Sequence, residues 1–378
     1  MRAWISVGIL PLIFAGGCSN APDPSLAAGA AGQDAPFVIK AGKPVADLPG
    51  EPHLRNVRML TFEGENAEAY WSRDGRHLVL QRRTHDMPAD QIYVLDLATG
   101  EMEQISTGFG RTTCSYFMQG DDRVVFASTH SHGRQPPPVA KRGRGGYTWS
   151  VHREYDLFTV GRDGKDLRQI TDYSGYDAEA TTCPVTGTIV FTSVRDGDLE
   201  LYTCEPDGSD VRRITDRPGY DGGAFFSNDG SKFVLRSAYP RNAEQAAEDV
   251  TLLSQGVVRP SHMEITICDR DGSNFRQVTN NGAANFAPFW LPDDKHIIFS
   301  SNVEGRAKAE ETGDFSQMRN FDLFIVSENG GELERVTNSP EFDGFPMFSP
   351  DGKYLVFASN RYNAKEGDTN VFIAEWVD

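Results

Sequence analysis

Residues 342–358 read FDGFPMFSPDGKYLVFA, and recognisable copies of this stretch recur along the chain. In each copy a strand-like run meets a tight turn, most often Asp-Gly, and a second run rich in Val, Ile and Phe follows. This pattern is typical of a β-hairpin. The residue just before the turn marks the copies: Trp71, Phe117, Thr182, Phe226, Trp290 and Phe348. The repeat therefore predicts structurally equivalent units.

Each hairpin is followed by a second pair of strand-like runs. The third strands are predicted at residues 91–97, 156–160, 200–204, 263–268, 321–326 and 370–375. The outer, fourth strands share an RQIT-like pattern and begin at Met102, Leu167, Val211, Phe275 and Leu333. A further copy of this outer pattern, VRMLT from Val57, precedes the first unit instead of following the last.

The displaced outer strand predicts how the two ends of the chain meet. Four-stranded units of this size do not bury both faces alone, and they stack radially into a propeller. The last unit has three strands, so the strand at Val57 completes it. We predict an all-β, six-bladed β-propeller of four-stranded antiparallel blades over residues 53–378, closed by this pairing. An open β-sandwich explains neither the repeat nor the missing strand.

The repeated FSPDGKYLVFAS, together with the RQIT-type outer strands, resembles the propeller repeats of the TolB-like family. The resemblance covers residues 57–378 and implies a six-bladed propeller of a group found mostly in bacterial envelopes. Such propellers serve as binding scaffolds, partner-docking domains and occasionally enzymes, so the resemblance implies no single function. The protein that gives the family its name has a separate domain ahead of its propeller. The resemblance of the propeller repeats therefore does not imply that protein's role for this chain.

The N-terminal residues predict export and lipid anchoring. Residues 1–17 resemble a signal peptide, with Arg2 followed by an apolar run that is too short to span a bilayer. The run ends in AGGC, which resembles a bacterial lipobox with Cys18 as the acylated first residue, and Ser19 indicates outer-membrane sorting. A plain secretory signal with an unmodified Cys18 is the alternative. Residues 18–52, rich in Ala, Gly and Pro, predict a lipidated flexible tether in the cell envelope.

Composition argues against nucleic-acid binding, and the cysteine positions argue against disulfide bonds. A net charge of -17 argues against nucleic acid as a partner, because phosphate binding needs clustered Lys and Arg. Four cysteines remain in the propeller: Cys114, Cys183, Cys204 and Cys268. Cys204 and Cys268 fall at equivalent positions of neighbouring blades, about 10 Å apart, which exceeds the reach of a disulfide. We predict buried free thiols.

A ring of polar residues is predicted at one mouth of the central channel. Counting five residues back from each marker gives Asn66, Thr112, Asp177, Asp221, Asn285 and Asp343. Glu68 and Glu179 lie two residues further in. Asp is also common in turns, which explains any one of these residues alone. Two carboxylates about 7 Å apart repel by about 2 kcal/mol at an effective dielectric near 20, so the set needs compensation.

Four kinds of compensation remain open for the ring: a protein Arg, a metal ion, a proton or a cationic ligand group. Hard oxygen ligands such as Asp177, Asp221 and Asp343 suit Ca²⁺, Mg²⁺ or Mn²⁺. His130 and His132 are a further candidate pair, because alternate residues of an extended segment point the same way. Solvated loop histidines are the simpler explanation of that pair.

The joins between second and third strands are predicted to form one loop-bearing face. The join at 193–198 is short, whereas those at 129–155, 238–262 and 302–320 are long. Long loops in compact domains are usually functional or disordered. Arg195, Arg361 and His130 lie just beyond second strands, on the same face. In the second insertion a helix with one apolar side is predicted, capped by Asn242 and Gln245 and ended by Gly256. This helix either forms a lid over the channel mouth or packs on a neighbouring blade.

Two function classes follow from this pattern. The first is a lipid-anchored envelope protein that binds a protein partner, a carbohydrate or another small ligand at the channel mouth. The second is a metal-assisted lyase or hydrolase acting on a carbohydrate or similar substrate, with carboxylates of the ring as metal ligands or base and His130 as acid or base. The chain contains no Gly-x-Ser-x-Gly elbow and no Gly-rich phosphate loop.

Overall fold

The chain forms a ring of β-sheets, as its repeat predicts. The computed structural model describes residues 37–139, 148–259 and 262–378, and its compact unit is Val38–Asp378. Two strands precede the first blade: β1 (Lys43–Pro44) and β2 (Leu54–Met59). Each blade then runs from an innermost first strand outward, and successive strands pair antiparallel.

The first three blades follow in chain order, and β9 lies in an insertion of the second blade. Blade 1 contains β3 (Glu65–Trp71), β4 (His77–Arg83), β5 (Gln91–Asp96) and β6 (Met102–Gln104). Blade 2 contains β7 (Thr112–Phe117), β8 (Arg123–Ser128), β10 (Asp156–Gly161) and β11 (Arg168–Gln169), with β9 (Trp149–Ser150) inserted. Blade 3 contains β12 (Asp177–Thr182), β13 (Ile189–Ser193), β14 (Glu200–Cys204) and β15 (Arg212–Arg213).

The other three blades complete the ring, and β18 lies in an insertion of the fourth. Blade 4 contains β16 (Tyr220–Phe226), β17 (Lys232–Ala238), β19 (Glu264–Asp269) and β20 (Arg276–Gln277), with β18 (Val257–Val258) inserted. Blade 5 contains β21 (Asn285–Trp290), β22 (His296–Ser301), β23 (Asp322–Ser327) and β24 (Glu334–Arg335). Blade 6 contains β25 (Asp343–Phe348), β26 (Tyr354–Ser359) and β27 (Asn370–Trp376).

The closure of the ring is confirmed. Strand β2 pairs with β27, with Leu54 opposite Trp376 and Met59 opposite Phe372. Strand β1 pairs in turn with β2, so the sheet of blade 6 has five strands. The innermost strands of successive blades also contact one another around the circle, including β25 with β3.

The predicted tether ends too late in the sequence. The compact unit begins at Val38, and Glu51 is 2% exposed because Arg361 holds its carboxylate. Residues 38–52 are therefore packed on the propeller, and the prediction of a flexible segment up to Pro52 is wrong for this part. The predicted signal peptide and Cys18 lie outside the described residues.

Two repeated motifs have a clear packing role. The aromatic residue or leucine in the middle of each second strand is fully buried: Leu80, Phe126, Phe191, Leu235, Phe299 and Phe357. The threonine of the RQIT-type motif accepts a hydrogen bond from a third-strand amide at 2.8–2.9 Å: Thr171 from Leu157, Thr215 from Leu201, Thr279 from Ile265 and Thr337 from Leu323. This hydroxyl ties a very short fourth strand to its blade.

The insertions carry the helices. Helix α1 (Ala243–Ser254) begins as predicted, with the Asn242 side chain accepting from the Gln245 amide at 2.9 Å, and Gly256 follows its end with φ of 74°. The apolar stripe predicted at Ala246, Val250 and Leu253 is only partly right, because Val250 is 70% exposed.

Helix α2 (Val303–Thr312) and a 3₁₀ turn (Phe315–Arg319) were not predicted. The buried residues of α2 are Gly305 and Ala309, which leave no apolar stripe in the sequence. Within the described ranges, neither α-helix has the length and apolar character needed to span a membrane.

The prediction of free thiols is confirmed, and the prediction of burial is confirmed for three of the four cysteines. Cys114, Cys183, Cys204 and Cys268 are free thiols, and all but Cys114 are buried.

Candidate functional site

The six polar residues of the predicted ring are buried between blades, so we call them the interblade ring. All are at most 1% exposed: Asn66, Thr112, Asp177, Asp221, Asn285 and Asp343. Each backbone amide bonds, at 2.8–3.1 Å, to the carbonyl just before the third strand of the preceding blade, as Asp177 does to Tyr155. The interblade ring therefore lies at the interfaces between neighbouring blades. Contact of these side chains with a ligand stays a prediction.

Protein groups supply the compensation that the ring carboxylates need. Arg195 donates to Asp177 at 2.8 Å, and Arg361 donates to Asp343 at 2.9 Å. Both arginines thus bind the ring, and Arg361 also holds Glu51 through two bonds of 2.9 and 3.0 Å. Contact of either arginine with a ligand stays a prediction.

Asp221 has hydroxyl partners in place of an arginine. It accepts from Ser237 at 2.5 Å and from Tyr239 at 2.7 Å. Burial raises the pKa of Asp221 to about 7, and repulsion from Glu200 adds to this rise. Asp221 is therefore compensated by a proton over part of the neutral range.

The remaining ring residues are themselves uncharged. The Asn66 amide donates to the Glu63 carbonyl at 2.8 Å, and Thr112 donates to the Asp90 carbonyl at 2.9 Å. Asn285 donates to Glu264 at 3.0 Å.

Within the described ranges, no three His, Cys, Asp or Glu side chains come together as a metal-binding group. Asp177, Asp221 and Asp343 each lie at a different blade interface, and their role as metal ligands stays a prediction. His130 and His132 lie in a 3₁₀ turn rather than on an extended segment. The His130 ring bonds Ser128 at 2.7 Å, and His132 lies 3.4 Å from Asp156, so the two imidazoles have separate partners.

The second predicted level lines the channel. In every blade it coincides with a β-bulge of the first strand, where the backbone is left-handed: Glu68, Cys114, Glu179, Gly223, Ala287 and Phe345 have φ of 49–59°. The bulge turns these side chains away from the regular strand pattern and toward the centre. Since all blades share it, the bulge belongs to the fold rather than to one site.

An aromatic layer closes the channel next to the bulges. Tyr70 of blade 1 packs on Phe225 of blade 4 with ring centroids 5.4 Å apart, although these blades are opposite in a ring of six. Tyr116 and Phe289 complete the layer, at 5.9 and 5.5 Å from Phe225. These contacts across the ring therefore close the channel next to the bulge residues.

The bulge of blade 3 is part of a buried ionic network, the channel cluster, formed by Glu68, Cys114, Glu179, Tyr220 and Arg236. Glu179 accepts from Arg236, from Tyr220 at 2.9 Å, from Thr192 at 2.7 Å and from the Gly223 amide at 3.0 Å. Its charge is fully bound within the protein.

Two consecutive glycines make room for this network. A Cβ on Gly222 would lie 2.7 Å from Glu179 Oε2, and one on Gly223 would lie 2.3 Å from Arg236 Nη1. Gly223 also has φ of 59°, which favours glycine.

Glu68 is the least compensated group of the channel cluster. Burial raises its pKa to about 7, and repulsion from Glu179 adds to the rise, while a hydrogen bond with Cys114 and the charge of Arg236 oppose it. A carboxyl group that titrates near neutrality, in a channel closed at one end, has the chemistry of a general acid or base.

The insertions of blades 2 and 4 meet over blade 3. Strand β9 pairs antiparallel with β18, with Trp149 opposite Val258 and Ser150 opposite Val257. The Trp149 ring lies 5.0 Å from the Arg236 guanidinium. The two insertions therefore share the loop-bearing face and cover one side of the channel cluster.

A cleft of about 440 Å³, which we call the α1 cleft, lies between helix α1 and blades 3 and 4. Its apolar lining includes Leu199, Leu252, Leu253, Val258 and Met263. Its charged lining consists of Asp198, Arg241, Glu244, Glu248, Asp249 and Arg259, with His262 beside them. Tyr220 lines the cleft and also belongs to the channel cluster, so the two are neighbours.

The α1 cleft and Arg236 were missed by the sequence analysis, although the sequence held a signal for Arg236. The equivalent position of the other second strands carries smaller or uncharged residues: Gln81, Ala127, Thr192, Ser300 and Ala358. An arginine there, facing a Gly-Gly pair inside a strand, indicates a close approach of side chain to backbone. Nothing in the sequence indicated the pairing of β9 with β18.

Parts of the chain are similar to curated TolB proteins. A Protein TolB homolog of Chlorobium chlorochromatii (strain CaD3) is 27% identical over 126 residues, covering 26% of this chain and 29% of that protein. The Tol-Pal system protein TolB of Bordetella pertussis is 25% identical over 142 residues, covering 29% of this chain and 32% of that protein. The chain thus spans less than a third of the length of these relatives. No protein-family model matches it.

Similarity to a solved structure extends over most of the chain. The structure of a putative TolB from Agrobacterium tumefaciens superposes with a TM-score of 0.55 at 16% identity, covering 83% of this chain and 91% of that one. At this identity the likeness shows the fold alone. The chain has a TolB-like six-bladed propeller and low-identity similarity to TolB homologues.

Proposed function

We propose that this protein is a lipid-anchored binding protein of the bacterial cell envelope, which captures a protein partner on its loop-bearing face. The observation that carries the proposal is the pairing of β9 with β18, which joins two long insertions on one face beside a cleft. A bare propeller needs no such insertions, and long ordered insertions on one face are typical of binding sites.

Two further observations support a role in the envelope. The relatives with matching segments include a Tol-Pal system protein, and the first 18 residues resemble a lipoprotein leader. Acylation at Cys18 would supply more than one lipid chain, which stable anchoring requires. The anchor is testable by labelling cells with a radioactive fatty acid: label is expected on the wild-type chain and absent from Cys18→Ser. Equal labelling of both chains would exclude Cys18 as the acylated residue.

The partner role is tested by capture from detergent-solubilised envelope membranes. Replacing Trp149 with Ala and Val258 with Pro in one variant breaks the β9–β18 pair and should abolish capture of any partner that the wild type retains. Val185→Ser serves as the control, because Val185 is 56% exposed in the turn between the first and second strands, away from the insertions. Equal capture by all three proteins would contradict the proposal.

An enzymatic function is the second candidate, and the pKa of Glu68 is the observation that favours it. A lyase or hydrolase at the channel would use Glu68 as acid or base. The metal-assisted form, with Ca²⁺, Mg²⁺ or Mn²⁺, has no ligand group among the described residues to support it. Turnover of an oligosaccharide or ester in a substrate screen, lost in Glu68→Gln, would establish the enzyme. Turnover that persists in this variant would exclude Glu68 from the reaction.

A further inference from the structure

The chemistry of the α1 cleft indicates which side chain of a partner it accepts. Asp198, Glu244, Glu248 and Asp249 contribute carboxylates, whereas Arg241 and Arg259 contribute guanidinium groups. The lining thus has an excess of negative charge when His262 is neutral. A cleft of this size, lined by both charged and apolar groups, suits a small amphipathic group.

Two of the carboxylates come from opposite walls. Asp198 is held by the amides of Leu199 and Gly219, at 2.9 and 2.7 Å, so its position is fixed by the loop of blade 3. Asp249 lies on the half-buried side of helix α1. Burial raises the pKa of both carboxyl groups, and repulsion from Glu248 and, more weakly, from Asp198 adds to the rise at Asp249. A cation between them would remove this repulsion.

Arg259 adds a hydrogen-bond donor that lacks an acceptor. Its Nη1 donates to Glu248 at 2.5 Å, whereas its buried Nε has no partner among the described residues. A buried donor without an acceptor is costly, so a carbonyl oxygen arriving with the ligand would stabilise this group.

The apolar part of the lining lies on both walls. Leu199 and Met263 of the propeller are 1% exposed, and Leu252 and Leu253 of helix α1 are half-buried. An aliphatic chain of several methylenes would pack between them while its charged end reaches the carboxylates.

We propose that the α1 cleft binds a lysine side chain of the partner polypeptide. The ammonium group lies between Asp198 and Asp249, the methylene stem contacts Leu252 and Leu253, and a peptide carbonyl accepts from Arg259 Nε. This assignment rests on the binding role proposed above, and it selects a partner with an exposed basic segment.

The test uses the full chain labelled with ¹³C at the methionine methyl groups, because Met263 lines the cleft. The probe is the peptide acetyl-Ala-Leu-Lys-Leu-Ala-amide, compared with the same peptide carrying norleucine for lysine. Saturable movement of the Met263 signal, assigned with Met263→Leu, is expected for the lysine peptide. Binding of the norleucine peptide should be about tenfold weaker or more, because it lacks the charge.

Variants connect this signal to the carboxylates. Asp249→Asn should weaken binding of the lysine peptide about tenfold or more. Glu310→Gln is the control, since Glu310 is a helical carboxylate outside the α1 cleft, and it should leave binding unchanged. Equal binding of both peptides, or full binding by Asp249→Asn, would overturn the assignment.

Failure of this assignment differs from failure of the proposed function. If Asp249→Asn still captures the membrane partner and the two peptides bind equally, the lysine assignment is wrong while the partner role stands. If the wild type captures no partner but binds the lysine peptide selectively, the partner role alone is contradicted.

Discussion

Buried carboxylates at the blade interfaces dominate the electrostatics of individual side chains. The first residue of each third strand is polar and buried beside the interblade ring: Gln91, Asp156, Glu200, Glu264, Asp322 and Asn370. Among these residues, Asp156 lies beside Asp177 of the ring and Asp322 lies beside Asp343. Burial, with added repulsion from the ring aspartate, raises the pKa of Asp156 to about 6 and that of Asp322 to about 7. These interfaces therefore depend on arginines and on bound protons.

Arg361 offers the sharpest test of the arginine compensation. It is 7% exposed and bridges Glu51 and Asp343. Arg361→Ala leaves two buried carboxylates without their cation, so the free energy of unfolding should fall by about 3–5 kcal/mol. Urea denaturation measures this change. Arg168→Ala, which removes an exposed pair with Asp166, should leave the curve unchanged. A similar curve for both variants would contradict the compensation.

Asp221 tests the compensation by a proton. Its pKa of about 7 in the folded protein lies above the unfolded value near 4. The contribution of the protonated carboxyl to stability is therefore complete below about pH 4 and is lost as the pH rises through about 7. Asp221→Asn keeps a neutral group, so its urea midpoint should rise relative to the wild type between pH 5 and pH 8.

The pH experiment has an exposed control. Asp163→Asn alters a carboxyl whose pKa is lowered by hydrogen bonds with Lys165, so its midpoint should keep a constant offset from the wild type over the same interval. If Asp221→Asn instead loses stability relative to the wild type as the pH rises, the buried carboxylate is ionised and the hydroxyls of Ser237 and Tyr239 stabilise it.

The added secondary-structure segments are held less firmly than the blades. No residue of helix α1 is fully buried, and its N-terminus depends on the Asn242 side chain. By contrast, every residue of β13 and β14 is buried. Segments with few buried contacts open at lower free energy than the core, which suits a surface that must adapt to a partner.

Asn242→Ala tests this view of helix α1. Loss of the N-cap costs about 1 kcal/mol, so amide hydrogen exchange within residues 243–254 should become about fivefold faster, while exchange in the blades is unchanged. Hydrogen exchange with mass spectrometry gives both values. Val250→Ala, at a position 70% exposed, is the control and should not accelerate exchange. Faster exchange throughout the propeller would show that α1 is part of the cooperative core.

The complete ring depends on one pairing between the ends of the chain. Strand β2 is the fourth strand of blade 6, and it joins residues more than 300 positions apart, such as Met59 and Phe372. Damage to β2 should therefore destabilise the entire propeller rather than release one edge.

Leu54→Ala tests the closure. Leu54 is fully buried in β2, so its truncation should lower the free energy of unfolding by about 2–5 kcal/mol while unfolding stays a single transition. Leu167→Ala removes a leucine that is 39% exposed beside an outer strand, and it should cost less than about 1 kcal/mol. Tryptophan fluorescence during urea unfolding measures both. Equal costs would show that β2 is not essential to the ring.

Repeated local patterns were enough to predict the blades, the closing strand, the common face of the insertions and the N-cap of α1, because hairpin turns, strand periodicity and caps depend on neighbours in sequence. Local patterns could not predict four features: the partners of Asp177, Asp343 and Glu51, the aromatic closure of the channel, the β9–β18 pair and the α1 cleft. Each of these features depends on side chains that are distant in sequence and that the closed ring brings together. An aspartate of the interblade ring can bind an ion or an arginine, and the side chains of the neighbouring blade decide which.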